Sequence, residues 1–392
     1  MTGWKKTQLG KICKLINGRA YKKQELLSEG KYLVLRVGNF FSNRSWYYSD
    51  LELNEDKYCD KNDLLYAWSA SFGPRVWHGE KVIYHYHIWK VKIDIEKVDK
   101  KFLFYWFEWD KEQIKKEQGV GTTMIHVTKG AMEKRKLIIP SLKEQKLIVK
   151  ILDKAFEGIA IAEDNTKKNL ANACELFEQF LNNNFTQTKD GWEVKRISDV
   201  STNIEYGSSS KSLKNPTSNS IPVLRMGNMQ GGLIDWDDLV YTDKEDEIKK
   251  YFLKYNDILF NRTNSDIHVG KTAIYKSERP AIFAGYLIRI NYKKNIVDPD
   301  FLNFYLNSSV ARDYGKSVMS RSINQANING TKLKTYPIYL PSLEIQKEVV
   351  SKLHELQKQT KALEKIYQQK LKALAELKQS ILQKAFTGQL TT

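Results

Sequence analysis

Two passages of this chain repeat one another in the same order, and that duplication constrains the fold more than any other feature. Gly3-Trp4-Lys5, followed by Leu9-Gly10-Lys11-Ile12, is answered by Gly191-Trp192-Glu193 and Ile197-Ser198-Asp199-Val200. Tyr32-Leu33-Val34-Leu35-Arg36-Val37-Gly38-Asn39 is answered by Ile221-Pro222-Val223-Leu224-Arg225-Met226-Gly227-Asn228, and Asp63-Leu64-Leu65 by Asp257-Ile258-Leu259. Pro140-Ser141-Leu142-Lys143-Glu144-Gln145-Lys146 returns as Pro341-Ser342-Leu343-Glu344-Ile345-Gln346-Lys347. Ordered matches of this kind predict two halves of similar structure.

Each half follows one plan. A first segment of roughly 140 to 150 residues has ordinary domain size and is rich in aromatic and β-branched residues punctuated by Gly, Asn, Asp and Ser. Lys81-Val82-Ile83-Tyr84 and Tyr286-Leu287-Ile288-Arg289-Ile290 read as strands. Phe102 to Trp109 and Phe301 to Asn307 read as one helix per half. The expectation is a mixed α/β (α+β) domain over 1–140 and another over 188–341.

A change of composition follows each domain. Over 141–187 and 342–392 helix formers dominate and proline is absent. Ser141 and Ser342 stand where an N-cap would start a long helix. In the second helix Leu353, Leu356, Leu363, Tyr367, Leu374, Leu377 and Ile381 fall on alternating steps of three and four, interrupted by Thr360 and Lys370, which predicts a coiled-coil seam. Aligning the two Pro-Ser-Leu starts puts Leu152, Ala155, Ile159, Ala162, Thr166, Ala173, Leu176 and Phe180 at matching positions of the first helix. About 45 helical residues make a rod of roughly 65–70 Å.

Charge narrows the partner. The chain has 63 Lys+Arg against 46 Asp+Glu, a formal net charge of +17. Such a cation favours a polyanion, because each lysine or arginine facing a phosphate releases a condensed counterion. Cys13, Cys59 and Cys174 are few, scattered and without a C-x-x-C pair, which argues against disulfides or a zinc ribbon. No stretch has the apolar length of a signal peptide or membrane span, so a cytoplasmic location is expected.

Catalytic motifs fail on inspection. Gly270-Lys271-Thr272 resembles the end of a phosphate loop, but Ser265 stands where the first glycine is needed. His85-x-His87 would set two rings on one face of a strand, but without an evident third metal ligand a half-buried strand is the simpler reading. Glu144, Glu193 and Glu376 begin Glu-x-Lys triplets, two of them on helices full of Glu and Lys. Asn215-Pro216 is followed by Thr217-Ser218 rather than by a second proline and an aromatic, so no amino-methyltransferase motif stands there. No catalytic residue, resident metal or bound cofactor is expected of this chain.

Recognition chemistry remains. Reading bases calls for arginine against guanine, Asn or Gln against adenine, and short polar side chains on loops. The second half offers Arg225, Asn228, Arg262, Thr263, Asn264, Ser320, Arg321, Asn324 and Gln325. The first offers Arg36, Asn39, Ser69, Ser71, Arg75, Thr122, Thr123 and His126. Their flanks agree while they differ, as expected if the halves read different targets.

The order domain, helix, domain, helix, with Pro-Ser-Leu-x-x-Gln-Lys opening each helix, resembles the specificity subunits of Type I restriction–modification systems. Leu377-Lys378-Gln379-Ser380-Ile381-Leu382-Gln383-Lys384-Ala385-Phe386-Thr387-Gly388 is similar to that family's closing segment, as are Phe260-Asn261-Arg262-Thr263-Asn264 and Val269-Gly270-Lys271-Thr272-Ala273-Ile274 within its second target recognition domain. The resemblance implies two target recognition domains joined by two antiparallel helices about a pseudo-two-fold axis. Each domain would read, in the major groove, half of an asymmetric bipartite site on double-stranded DNA. The helices would act as a ruler and dock two methyltransferase subunits, with motor–nuclease subunits completing the complex. S-adenosylmethionine, ATP and Mg2+ would belong to those partners. The competing expectations are a coiled-coil scaffold that binds DNA without reading it, and a cryptic nuclease or methyltransferase.

Overall fold

A computed structural model describes residues 4–42, 44–69, 71–118, 126–186, 191–323 and 325–390. It divides into two units, Met1–Lys167 with Gln369–Thr392, and Lys168–Gln368. Both are mixed α/β.

The first unit is organised by Leu64–Ala67, a strand buried along its whole length. Side chains of a strand alternate between faces. Here Leu64 and Tyr66 enter one core with Phe102, Trp106 and Phe107, while Leu65 and Ala67 enter another with Leu35 and Tyr84. Two apolar layers thus cover one strand, which explains the absence of polar alternation in its sequence. Its sheet runs Cys13–Asn17, Ile88–Ile93, Leu64–Ala67, Gly73–Val76, antiparallel throughout. A second sheet pairs Tyr32–Leu35 in parallel with Val82–Tyr84 and carries Tyr47–Ser49 and Tyr58–Cys59 at its edges.

The second unit repeats this arrangement. Ile258 and Phe260 of strand Ile258–Asn261 face one core and Leu259 another. Ile221–Leu224 pairs in parallel with Ile282–Phe283, as its counterparts do. The match extends to single residues. Asn62 and Asn256 both adopt φ +73°, a left-handed turn that Asn tolerates better than other non-glycine residues. The Asp that follows each accepts from a backbone N–H three residues earlier, Asp63 from Asp60 at 2.8 Å and Asp257 from Lys254 at 3.0 Å. That local chemistry is why Asp-Leu-Leu and Asp-Ile-Leu recur.

The expected helix at Phe102–Trp109 is part of Lys100–Gln118, and its counterpart is Pro299–Asn307, started by Asp298 Oδ1 accepting from Asp300 N and Phe301 N. In the second unit this helix stops at Ser308 and a second one follows as Ser309–Val318. His85 and His87 correct the sequence reading. The strand ends at Tyr84, His85 makes an isolated parallel bridge with Arg19, and His87 stands in the turn before Ile88–Ile93.

Two continuous helices of 44 residues each, Leu142–Phe185 and Leu343–Phe386, pass from one unit to the other. Ser141 Oγ accepts from Glu144 N at 3.3 Å and Ser342 Oγ from Ile345 N at 3.5 Å, the capping arrangement read from the sequence. Within the first unit the opening turns of the first helix (Ile148, Leu152, Phe156) share a core with the closing turns of the second (Ile381, Leu382, Phe386). Within the second unit the roles reverse, with Phe177, Leu181 and Phe185 against Val349 and Leu353. The packing is therefore antiparallel in each.

The buried seam is shorter than the periodicity predicts. Leu152, Ile159 and Leu353 are buried, and Phe180, Leu356, Tyr367, Leu374 and Ile381 are half-buried. Leu176, Leu363 and Leu377 are 49%, 38% and 47% exposed. A three-four repeat marks an apolar face without stating what covers it, and these three lie outside the covered part. Thr360 does not interrupt the packing. It is buried, and its hydroxyl donates to Leu356 O at 3.0 Å, as Thr166 donates to Ala162 O at 2.6 Å.

Candidate nucleic-acid interface

In the second unit, strand Ile258–Asn261 runs out of the core into Thr263–Asn264, which pairs with Gln325–Asn327, itself the second arm of a hairpin begun by Ser320–Ser322. Two loops about 60 residues apart thereby form one three-stranded ribbon. Thr263 Oγ1 accepts from Asn327 Nδ2 at 2.7 Å and is nearly buried, so it serves as the ribbon's internal tie. Ser320, Arg321, Ser322 and Gln325 are exposed, and Ile323 near the tip is 94% exposed. Asn264 is half-buried, its Oδ1 accepting from Ser265 N at 2.8 Å. Arg321 Nε stands 2.9 Å from Asp266 Oδ2 on the surface. Asn324 lies outside the described residues.

The base of the ribbon holds Arg262. Its guanidinium lies 4.8 Å from the ring centroid of Tyr206, its Nη1 is 3.4 Å from Gly285 O, and its Nε is buried without a hydrogen-bond partner among the described residues. Gly270-Lys271-Thr272 makes no phosphate loop. Gly270, at φ +88°, donates to Asn261 O at 2.8 Å, and Thr272 begins strand Thr272–Ile274.

The first unit uses the same backbone with other side chains. Trp68 N donates to His87 O at 3.0 Å as Arg262 N donates to Tyr286 O at 3.1 Å, and Val127 N reaches Trp68 O as Ile328 N reaches Arg262 O. Ser69 pairs with His126 as Thr263 pairs with Asn327, with Ser69 Oγ 3.2 Å from His126 Nε2. Trp68, Ser69 and His126 thus occupy the places of Arg262, Thr263 and Asn327. Trp68 stacks 5.8 Å from Trp89, meets Tyr86 and His87 edge-on and lies tilted against His126 at 5.2 Å. Burial pushes His85 down to about 4, helped by the neighbouring charges of His87 and Arg36, so the ring is neutral at pH 7. Ser71 and Arg75 are exposed, Arg75 lying 5.1 Å from the Phe41 ring. Thr122 and Thr123 lie outside the described residues.

The shared Arg-x-Gly-Asn segments divide by role. Asn39 Nδ2 donates to Arg44 O and Ser45 O, and Asn228 Nδ2 to Asp237 O at 2.8 Å, so both amides hold the loop that follows. Arg36 lies 4.2 Å over Tyr47. Arg225 instead donates to Asp238, at 2.5 Å to the carbonyl and 3.1 Å to the carboxylate. Sequence reasoning passed over Tyr47, Tyr206 and Asn327, and weighed His87 only as a metal ligand. The signal available was aromatics standing beside polar loop residues.

Among the described residues no group of three or more His, Cys, Asp or Glu side chains could hold a metal ion. Among them, too, no helix is long and apolar enough to cross a membrane.

Residues 1–172 and 189–373 each match the Type I restriction modification DNA specificity domain, so two copies account for most of the chain. The chain belongs to the Type I restriction–modification DNA specificity family. The specificity subunit of the EcoBI enzyme of Escherichia coli is 23% identical, aligned over 99% of this chain and 86% of that protein. The putative MjaX specificity subunit of Methanocaldococcus jannaschii is 30% identical over 54% of this chain and 50% of its own length. A chain solved in work on complex assembly and conformational transition of the type I R-M system has the same fold, with a TM-score of 0.77 at 18% identity, covering 100% of this chain and 99% of that one. The two matched copies are thus the specificity domains of a specificity subunit, the non-catalytic part of its system.

Proposed function

We propose that the specificity domains, 1–140 and 188–341, each read one half of an asymmetric two-part site in the major groove of double-stranded DNA. One observation carries this reading. The halves keep one backbone but place Trp68, Ser69 and His126 where the other has Arg262, Thr263 and Asn327. A shared scaffold with exchanged donors and aromatics suits two different base sequences, whereas phosphate binding alone would favour like cations at like positions.

The long helices, over 141–187 and 342–392, set the unread spacer between half-sites and dock two methyltransferase subunits. Support for docking comes from large apolar residues left substantially exposed on both helices. Leu147 and Ile161 on the first helix are 50% and 57% exposed, and Leu363, Ile366 and Leu377 on the second 38%, 54% and 47%. Such stripes on a soluble helix favour a partner. Motor–nuclease subunits complete the cytoplasmic complex. S-adenosylmethionine, ATP and Mg2+ are bound by these partners.

Single-molecule methylome sequencing of a host expressing the chain with its methyltransferase tests the reading. Adenine methylation at one asymmetric two-part motif, only when this chain is present, is the expected result. An assembled complex that produces no chain-dependent motif overturns it in favour of a scaffold that binds DNA without reading it.

A further inference from the structure

We propose that Arg36 and Arg262 are the guanine-reading arginines of this chain, one in each half-site, with Tyr47 and Tyr206 as their positioning residues. This rests on the reading of the chain as a two-domain DNA reader and adds which side chains meet which base.

Five arginines stand at the places recognition chemistry predicts, and their surroundings sort them. Arg225 is closed by Asp238, whose carbonyl and carboxylate take its Nη2. Arg321 is paired with Asp266, and both are exposed. Arg75 is exposed, its guanidinium 5.1 Å from the Phe41 ring rather than over a tyrosine. Arg36 and Arg262 differ from all three. What sets them apart is the tyrosine: each guanidinium lies over a ring, 4.2 Å and 4.8 Å from its centroid, whereas a buried Nε without a partner among the described residues is a feature they share with Arg225. Among the described residues neither has a carboxylate in salt-bridge contact, as Arg225 and Arg321 do. Tyr47 and Tyr206 are 36% and 42% exposed, so these stacks stand at the surface.

A guanidinium fixed on a ring with Nε turned inward presents its two terminal nitrogens, and in Arg262, where Nη1 already donates to Gly285 O at 3.4 Å, that nitrogen keeps its second N–H for a base. The terminal pair bridges O6 and N7 of guanine. Stacking removes rotamers before binding, so less freedom is lost when the contact forms. An unpaired, half-buried cation also gains more from an acceptor than a solvated one does.

The two arginines do not occupy equivalent places. Arg36 follows Tyr32–Leu35, where the second unit has the neutralised Arg225. Arg262 follows strand Ile258–Asn261, where the first unit has Trp68. The guanine would therefore sit at a different offset in each half-site, so that identical scaffolds read unlike sequences.

The test uses the complex of the full chain with its methyltransferase subunits on its own duplex motif. Each guanine is replaced in turn by 7-deazaguanine, which lacks the N7 acceptor. We expect one guanine in the second domain's half-site at which replacement weakens wild-type binding roughly 5- to 100-fold. Arg262→Ala and Arg262→Lys should be indifferent to that replacement, since lysine keeps the charge and loses the fork. Arg36→Ala should do the same in the other half-site alone, Tyr206→Leu should blunt discrimination at the Arg262 guanine, and Arg225→Ala should change none of these effects. Full discrimination at the untouched half-site is the internal control for folding. Retained discrimination at every guanine in Arg262→Lys, or equal loss at both half-sites from either arginine, overturns the assignment. A wild-type complex with no preference for any two-part motif overturns the reader itself, and this assignment with it.

Discussion

Gln145 and Gln346 make the same three hydrogen bonds, each inside its own unit. Gln145 Oε1 accepts from Asp99 N at 2.8 Å, and its Nε2 donates to Lys97 O at 3.1 Å and Pro140 O at 2.9 Å. Gln346 does so with Asp298 N, Ile296 O and Pro341 O at 2.8, 3.0 and 2.8 Å. Both side chains are fully buried. The glutamine of Pro-Ser-Leu-x-x-Gln-Lys thus fastens the first turn of each long helix to the turn preceding the domain's own helix.

Replacing Gln346 by Leu leaves an N–H and two carbonyls buried without partners. The expected cost is about 2–3 kcal/mol, since an unsatisfied buried group forfeits its solvation. Denaturant unfolding checks it, and Gln145→Leu should destabilise the first unit in the same way. Unchanged midpoints for both variants would remove the glutamines from the helix anchor.

The closing turn of each long helix completes the other half's core. Phe386 meets Phe102 edge-on at 5.3 Å, and Phe185 meets Phe301 at 5.2 Å. Phe386→Ala should destabilise the first unit by about 3–5 kcal/mol through the cavity it leaves. Hydrogen exchange should then quicken in Lys100–Gln118 and stay as before in Pro299–Asn307.

Stability of the first unit should fall with acid. His85 titrates near 4 when folded because burial disfavours its charged form, against an ordinary value of about 6.5. Between these values the unfolded chain binds a proton that the folded one does not, so stability is full above about pH 6.5 and declines as pH drops toward 4. His85→Phe should flatten this part of a stability–pH curve. An unaltered slope would place its origin elsewhere.

Leu147→Glu combined with Ile161→Glu changes two exposed residues of the first long helix. Surface substitutions usually alter stability by about 0.5 kcal/mol or less, so folding should persist. Association with the methyltransferase subunits, followed by size-exclusion chromatography, should weaken severely. Normal assembly would exclude this face from docking.

The duplication, the ends of both long helices and the fold class were legible in the residues because each is written locally. Ser141 and Ser342 cap within three residues, Asn62 and Asn256 carry their own turns, and strand Leu64–Ala67 declares its burial through unbroken apolarity. The interface was less so. Thr263 and Asn327 meet only because a hairpin returns to the end of a distant strand, and nothing in either segment names the other. Arg36 and Arg225 occupy matched places in the repeat, yet one lies on Tyr47 and the other is closed by Asp238. Likewise Leu353 and Leu377 share a helical period, yet one is covered and the other bare. Short-range chemistry is carried by neighbours along the chain. Burial, charge pairing and the convergence of a surface depend on neighbours in space, and those exist only once the chain has folded.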